Sequence, residues 1–149
     1  MKSNKRYIWA LVLCCYFAAV LMVCLARPEQ IPSLSRSLWG IPVDKIGHFL
    51  MFLPYPVIAY TAFKPAYPGR WRHILVLLAV FAVGVGLAMG TEHLQGLSEY
   101  RSYEIEDFYA DILGMECSAL VIFLYIIFRK TIFQQASFFF FACCNIEFI

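Results

Sequence analysis

Four long runs of apolar residues limit the folds that this chain can adopt. They cover residues 7–25, 46–63, 73–90 and 108–128. Each run is close to the roughly 20 residues that a helix needs to cross the hydrocarbon core of a bilayer, and a helix satisfies its own backbone groups in lipid. Hydrophobic residues make up 62% of the chain, whereas soluble domains contain about half. The sequence therefore predicts an all-α membrane protein, a four-transmembrane-helix bundle.

Features within the runs predict how the helices behave. The first run is longer than the roughly 7–15 apolar residues of a signal peptide, which favours a retained helix over cleavage. Pro54 and Pro56 lie in the middle of the second run and predict a kink. In the third run, Ala82, Gly86 and Gly90 recur every four residues. Such a stripe of small residues lets another helix approach closely.

Lysines and arginines are unevenly distributed between the two ends of these helices. Eight fall on one side and four on the other. The eight are Lys2, Lys5, Arg6, Lys64, Arg70, Arg72, Arg129 and Lys130, and the four are Arg27, Arg36, Lys45 and Arg101. The positive-inside rule then predicts that both termini are cytoplasmic. The net charge of +2 is too small to indicate nucleic acid as a partner.

The chain divides into three predicted regions. Residues 1–43 form an N-terminal transmembrane helix with an outer loop, and residues 44–130 form a three-helix core. Residues 131–149 form a C-terminal tail whose apolar block is too short to span a bilayer, and the sequence predicts no role for it. The six cysteines show no CxxC or metal-finger spacing, so we interpret them as packing residues.

A polar stretch, residues 90–114, separates the third run from the fourth and holds six of the ten carboxylates. A charged residue in a membrane span costs about 2.5–3.5 kcal/mol on insertion scales, so these residues need partners. Three pairs of polar residues have the spacing that puts both members on one helix face. The pairs are Asp44 with His48, Glu92 with Gln95, and Asp107 with Asp111. All three fall at the outer ends of predicted spans, so the sequence predicts one outward-facing polar pocket.

Two other polar residues lie near these faces. His93 is one position away from the face of Glu92 and lies near the small-residue stripe, which predicts a role in helix packing. Glu116 falls inside the fourth span, opposite Asp107 at about 100° per residue. Glu116 could therefore contact a second subunit or be protonated, and the sequence does not decide between the two. A homo-oligomer is likewise left open.

Three segments of the predicted core resemble the VanZ-like family. They are DKIGH at 44–48, TEHLQ at 91–95 and RSYEIEDFYADILG at 101–114. The family pattern is Asp-Lys-x-x-His, then Glu-x-x-Gln, then an Arg, an Asp six residues later, Ala-Asn and a Gly. This chain departs from the pattern at Asp111, where the family usually has Asn.

The resemblance covers about residues 44–128 and implies a multi-pass protein of the bacterial cytoplasmic membrane. The family takes its name from a protein linked to resistance to teicoplanin, a glycopeptide antibiotic that binds cell-wall precursors. The resemblance therefore implies a role in the cell envelope and a link to antibiotic resistance. The partners that it implies are the lipid bilayer and a lipid-linked cell-wall precursor.

Three interpretations of the polar pocket follow. In the first, it binds a lipid-linked or anionic envelope component, with basic side chains holding the anionic group. In the second, the protein is an enzyme in which His48 is the general acid or base, oriented by Asp44 and assisted by Glu92. In the third, the charges only hold the helices together. The sequence predicts no metal ligands and no cofactor. The candidate catalytic residues are His48 and Glu92, and the candidate ligand-binding residues are Asp44, Lys45, Gln95, Arg101, Asp107 and Asp111.

Overall fold

The structure, a computed structural model, describes residues 2–25, 37–38, 40–66, 69–97 and 104–144. The described elements are α1 (Lys2–Leu25), β1 (Ser37–Leu38), β2 (Ile41–Pro42), α2 (Val43–Phe52), α3 (Tyr55–Phe63), α4 (Arg70–Gly96) and α5 (Ile105–Cys144). The two strands pair antiparallel as a short hairpin. Gly40 lies between them with a φ of 82°, a backbone conformation that glycine adopts without steric cost.

Four helical segments are long and apolar enough to cross a membrane, by length and composition. They are Arg6–Leu25, Val43–Phe63, Arg70–Gly96 and Ile105–Arg129. The prediction of a helical protein with four candidate membrane spans is therefore confirmed. The three-region division of the chain stays a prediction.

The second span consists of two helices, where the sequence predicted one kinked helix. α2 ends at Phe52 and α3 begins at Tyr55, because a proline has no N–H to donate and its ring clashes with the carbonyl four residues earlier. A break at this point leaves backbone carbonyls without helical partners. The hydroxyl of Tyr16 in α1 donates a hydrogen bond to one of them, the carbonyl of Met51. The break therefore becomes a contact that joins α1 to α2.

The core of the bundle lies where α1 and the second span pack against α4 and α5. Its buried apolar residues include Val20, Phe52, Tyr55, Ala59, Val80, Ala88 and Met115. The ring of Tyr55 packs against that of Phe17, with 5.6 Å between ring centroids. Its hydroxyl donates to the carbonyl of Val80 at 2.9 Å, so the polar end of this buried side chain is satisfied. Tyr55 thereby ties three spans together.

The outer surface of the bundle is apolar. In the most apolar part of α4, only 28% of the residues are buried within the chain, and the same share is buried in α5. Large side chains point outward instead, among them Leu75, Leu78, Val83, Leu120, Val121 and Leu124. A surface of this kind is stable in lipid, where no hydrophobic effect drives it inward.

Two glycines allow helices to approach closely, and neither belongs to the predicted stripe. A Cβ at Gly114 of α5 would overlap the carbonyl oxygen of Phe49 in α2, and one at Gly84 of α4 would overlap the ring of Tyr55. By contrast, a Cβ at Gly86 or Gly90 would meet no atom within 4 Å. For the helices of this chain, the prediction that the Ala82–Gly86–Gly90 stripe accommodates a neighbour is wrong, because that stripe faces outward.

Helix α5 continues past the predicted end of the fourth span. The apolar run stops at Phe128, but the helical backbone extends to Cys144. The side chains after Arg129 and residues 145–149 lie outside the described part of the chain. The structure therefore adds a helical backbone to most of the predicted 131–149 tail and does not test its role.

Candidate functional site

Three helix ends bring polar side chains together at one end of the bundle. They are the start of α2, the end of α4 and the start of α5. Five of the predicted site residues there are buried, with 0–4% of their surface exposed. They are His48, Glu92, Gln95, Asp107 and Asp111. We call His48, Glu92, Asp107 and Asp111 the buried polar cluster.

His48 is the centre of this cluster. Its Nδ1 lies 3.0 Å from Oδ1 of Asp111 and 3.5 Å from Oε1 of Glu92. Its Nε2 lies 3.7 Å from Oδ2 of Asp107. A neutral imidazole with its proton on Nδ1 would donate to Asp111 and keep Nε2 as an acceptor. His48 is thus surrounded by carboxylates from two other helices.

Asp111 makes the described hydrogen bond that orients the His48 ring. The sequence interpretation assigned this role to Asp44 because the two residues share a face of α2. Asp44 is exposed, although one of its carboxylate oxygens lies within 4.8 Å of ligand atoms of both His48 and Asp107. The i,i+4 rule describes neighbours on one helix and cannot identify a partner that another helix supplies.

Lys45 forms the partly exposed rim of the cluster. Its Nζ lies 2.7 Å from Glu106, 3.6 Å from Asp107 and 3.7 Å from Glu104. The Lys45 side chain is 22% exposed, whereas those of Glu104 and Glu106 are 53% and 68% exposed. Sequence reasoning counted these two glutamates in the polar stretch but gave them no role. Their position beside the first turn of α5, close in sequence to Asp107, was the feature from which their contact with Lys45 could have been predicted.

Gln95 connects the site region to the first helix. Its side-chain amide donates to the carbonyl of Cys24 at 3.3 Å. Cys24 lies in the last turn of α1, where backbone carbonyls have no partner further along the helix. The contact described for Gln95 is therefore structural. Arg101, the remaining predicted ligand-binding residue, lies outside the described part of the chain.

The described charges around this site are mainly negative. In the described region, His48 contacts all three buried acids, whereas Lys45 approaches only Asp107 among them and is also paired with carboxylates at the rim. In that region, Oδ2 of Asp111 has no hydrogen-bond partner, and Oδ1 of Asp107 has only the 3.6 Å contact with Lys45. A buried carboxylate without compensation is costly. The cluster is therefore suited to take up a proton or a positively charged group.

Two sets of side chains have the composition of a metal site. One is His48, Glu92 and Asp111, and the other is Asp44, His48 and Asp107. Within each set the ligand atoms lie within 4.8 Å of one another, and imidazole with carboxylate suits several divalent ions. The same atoms already form hydrogen bonds and ion pairs among themselves, so this geometry alone assigns no metal.

The two polar residues outside the predicted faces are both exposed. His93 follows Glu92 directly, and a step of about 100° around the helix turns it outward. Among the described helices of this chain, the prediction that His93 packs between helices is therefore wrong. Glu116 lies on the outer side of α5, beside an apolar groove that Leu77, Phe81 and Leu113 line.

The fold and the site together define a helical, multi-pass membrane protein with a buried histidine–carboxylate cluster at one end of its bundle. No family model matches the sequence, and no solved structure matches it. The chain is similar to an uncharacterized protein of Schizosaccharomyces pombe, with 28% identity over 86 residues. The match covers 57% of this chain and 50% of that relative. The chain thus spans about half the length of the curated relative it matches.

Proposed function

We propose that this protein is a VanZ-like integral membrane protein that binds a lipid-linked or anionic component of the cell envelope. The anionic group would lie at Lys45 on the rim, beside the acidic buried polar cluster. The observation that carries the proposal is the convergence of polar residues from α2, α4 and α5 on one end of the bundle. These residues belong to the three segments that resemble the family. The proposal includes the bacterial cytoplasmic membrane, an outward-facing cluster and a link to glycopeptide resistance.

Lys45 is the described residue best placed to receive an anionic group. Two of its three carboxylate partners, Glu104 and Glu106, are more than half exposed, and exposed ion pairs contribute little to stability. An anionic headgroup can therefore replace them at Nζ of Lys45 at small cost. Arg101 would supply a second, bidentate contact, as guanidinium groups do with phosphates.

A membrane enzyme is the second candidate, and one distance favours it. Asp111 lies 3.0 Å from Nδ1 of His48, which orients the ring and leaves Nε2 to exchange a proton with a substrate. The substrate would be an envelope lipid or a cell-wall precursor. Turnover of such a lipid by the purified protein, with loss in His48→Ala and retention in His93→Ala, would support this function. No turnover with a panel of envelope lipids would count against it.

The proposed orientation predicts which loops face the cytoplasm. The sequence predicts that eight lysines and arginines lie on the side of the termini and the 64–72 turn and that four lie on the other side. A fluorescent protein fused after residue 68 should fluoresce, and alkaline phosphatase fused after residue 36 should be active, because each reporter works on one side only. Exchanging the two reporters should abolish both signals. The opposite pattern would contradict the proposed orientation.

The proposed function predicts a change in glycopeptide susceptibility. Cells that make the wild-type protein should tolerate more teicoplanin than cells without it. His48→Ala, Glu92→Gln, Arg101→Ala and Asp107→Asn should each remove most of that difference, because each takes away a charged or hydrogen-bonding group of the proposed site. The measurement is the minimal inhibitory concentration, with the protein level in membranes determined by blotting.

Matched controls separate a site from a scaffold in this experiment. His93→Ala and Glu116→Gln change the same residue types on α4 and α5 but at exposed positions, and both should behave as wild type. A wild-type protein without effect on susceptibility would reject the resistance role. Loss of tolerance only in proportion to loss of protein would instead favour the structural interpretation of the charges.

A further inference from the structure

A cavity lies at the opposite end of the bundle from the buried polar cluster. Its volume is about 540 Å³, within the range of roughly 300–1,000 Å³ that is common for small-molecule sites. His73 in its wall and Glu92 in the cluster are 19 residues apart on α4, or about 28 Å along the helix at 1.5 Å per residue. Because this is nearly the thickness of a bilayer core, about 30 Å, the two sites lie at opposite interfaces.

Hydrogen-bond donors line this cavity. Among them are the ammonium of Lys64 after α3, the guanidinium of Arg129 in α5 and the hydroxyl of Tyr60 in α3. In the part of the chain that the structure describes, every ion pair belongs to Lys45 or His48. Lys64 and Arg129 therefore have no described carboxylate to neutralise them.

The hydrogen bonds of His73 leave the hydroxyl proton of Tyr60 available. Nη1 of Arg129 lies 3.4 Å from Nε2 of His73, and the Tyr60 oxygen lies 2.7 Å from Nδ1. A guanidinium only donates, so Nε2 accepts and the neutral ring carries its proton on Nδ1. Nδ1–H then donates to the oxygen of Tyr60. The hydroxyl proton of Tyr60 therefore has no acceptor among the described residues. This hydroxyl lines the cavity.

We propose that this cavity binds the phosphate ester of an anionic phospholipid headgroup. A phosphate offers acceptors for Lys64, for the O–H of Tyr60 and for the N–H groups of Arg129 that do not face His73. Basic pockets between membrane helices are known to take such headgroups. Val57, Val121 and Ile122 also line the cavity and provide an apolar wall for the start of the acyl chains. This site uses no residue of the buried polar cluster, so it does not depend on the function proposed for that cluster.

Simple anchoring at the interface is the alternative explanation for these basic residues. Lysine and arginine near helix ends extend their charged groups towards water and lipid headgroups without forming a site. Anchoring predicts that any basic residue at this end contributes equally and that Tyr60 contributes nothing. Arg72 is a suitable comparison, because it lies at the same end, is exposed and does not line the cavity.

The test is native mass spectrometry of the purified chain in detergent, titrated with phosphatidylglycerol or with a diacylglycerol of the same acyl chains, which has no phosphate. We expect a preference for phosphatidylglycerol. Arg129→Gln should weaken its binding about 10- to 100-fold and Tyr60→Phe about 2- to 10-fold, as expected for a charged and a neutral hydrogen bond. Arg72→Gln should leave the affinity within about twofold of wild type, since surface changes away from a site have small effects.

Each outcome supports or overturns the proposal. Equal binding of the two lipids, or an equal loss in Arg72→Gln and Arg129→Gln, would reject a phosphate site in favour of anchoring. Binding of glycerol 3-phosphate alone, with the same order of variants, would support the site but indicate a ligand from the aqueous phase. If Arg129→Gln does not fold, Tyr60→Phe decides, because it keeps the aromatic ring in place and removes only the hydroxyl.

Discussion

An alanine in place of Gly114 is expected to separate α2 from α5 and to destabilise the bundle by about 1–3 kcal/mol or more, as overpacking in a protein core does. The new Cβ would overlap the carbonyl oxygen of Phe49 and lie 3.2 Å from the backbone nitrogen of Leu53. Both are backbone atoms, so no side chain can rotate away to relieve the contact. Because α2 also carries Lys45 and His48, the same change should displace the buried polar cluster.

Gly86→Ala provides the matched control for this prediction. Gly86 lies in the middle of α4, and a Cβ there would meet no atom within 4 Å. Alanine is favoured over glycine by about 1 kcal/mol in a helix interior, so this variant should be as stable as wild type or more stable. Unfolding of each purified protein in detergent measures the difference. Equal stability of the two variants would mean that α2 and α5 are not in close contact at Gly114.

The second large effect is expected from the change His48→Ala. It leaves Glu92, Asp107 and Asp111 buried near one another without the imidazole between them. Removing one partner from a buried ion pair typically costs about 3–5 kcal/mol, and we expect a loss of stability of this order. His93→Ala removes an exposed histidine from α4, next to Glu92, and should change the free energy of unfolding very little.

A double variant separates the electrostatic part of this loss from the cavity that the missing ring leaves. Adding Asp111→Asn to His48→Ala removes one of the three buried carboxylates, and with it the negative charge of its ionised form, with little change in the size of the side chain. If charge repulsion dominates, the double variant should be more stable than His48→Ala alone. A double-mutant cycle of unfolding free energies measures this coupling. Additive effects of the two changes would contradict a direct interaction between His48 and Asp111.

The sequence was sufficient to predict the spans and the end of the bundle where polar residues gather. The length of an apolar run determines whether it can cross a bilayer, and this requires no knowledge of neighbouring helices. Likewise, residues three or four apart lie on one helix face in any environment. Both kinds of inference depend only on local geometry, which is why the start of α2, the end of α4 and the start of α5 were identified.

The contacts between helices could not be predicted in this way. The stripe of Ala82, Gly86 and Gly90 has the right spacing for close packing, but the helices meet at Gly84 and Gly114. Spacing identifies a small-residue face without identifying which face another helix covers. The same limit explains why the hydrogen bond between His48 and Asp111 was not predicted. The position of Arg101 and the outward orientation of the cluster remain predictions.

The distance between the two polar ends also bears on which lipid bilayers suit the protein. The interval of about 28 Å between His73 and Glu92 on α4 approximates the hydrophobic length of the bundle. Charged groups that are not buried lie near each of these levels, Arg72 at one end and Lys45 at the other, and they resist entry into hydrocarbon. A bilayer of matching thickness would accommodate α4 without tilt. A thicker one, such as a sterol-rich membrane of roughly 32–33 Å, would have to thin locally around the protein. Hydrophobic mismatch would then disfavour thick membranes and favour thin ones as the location of this chain.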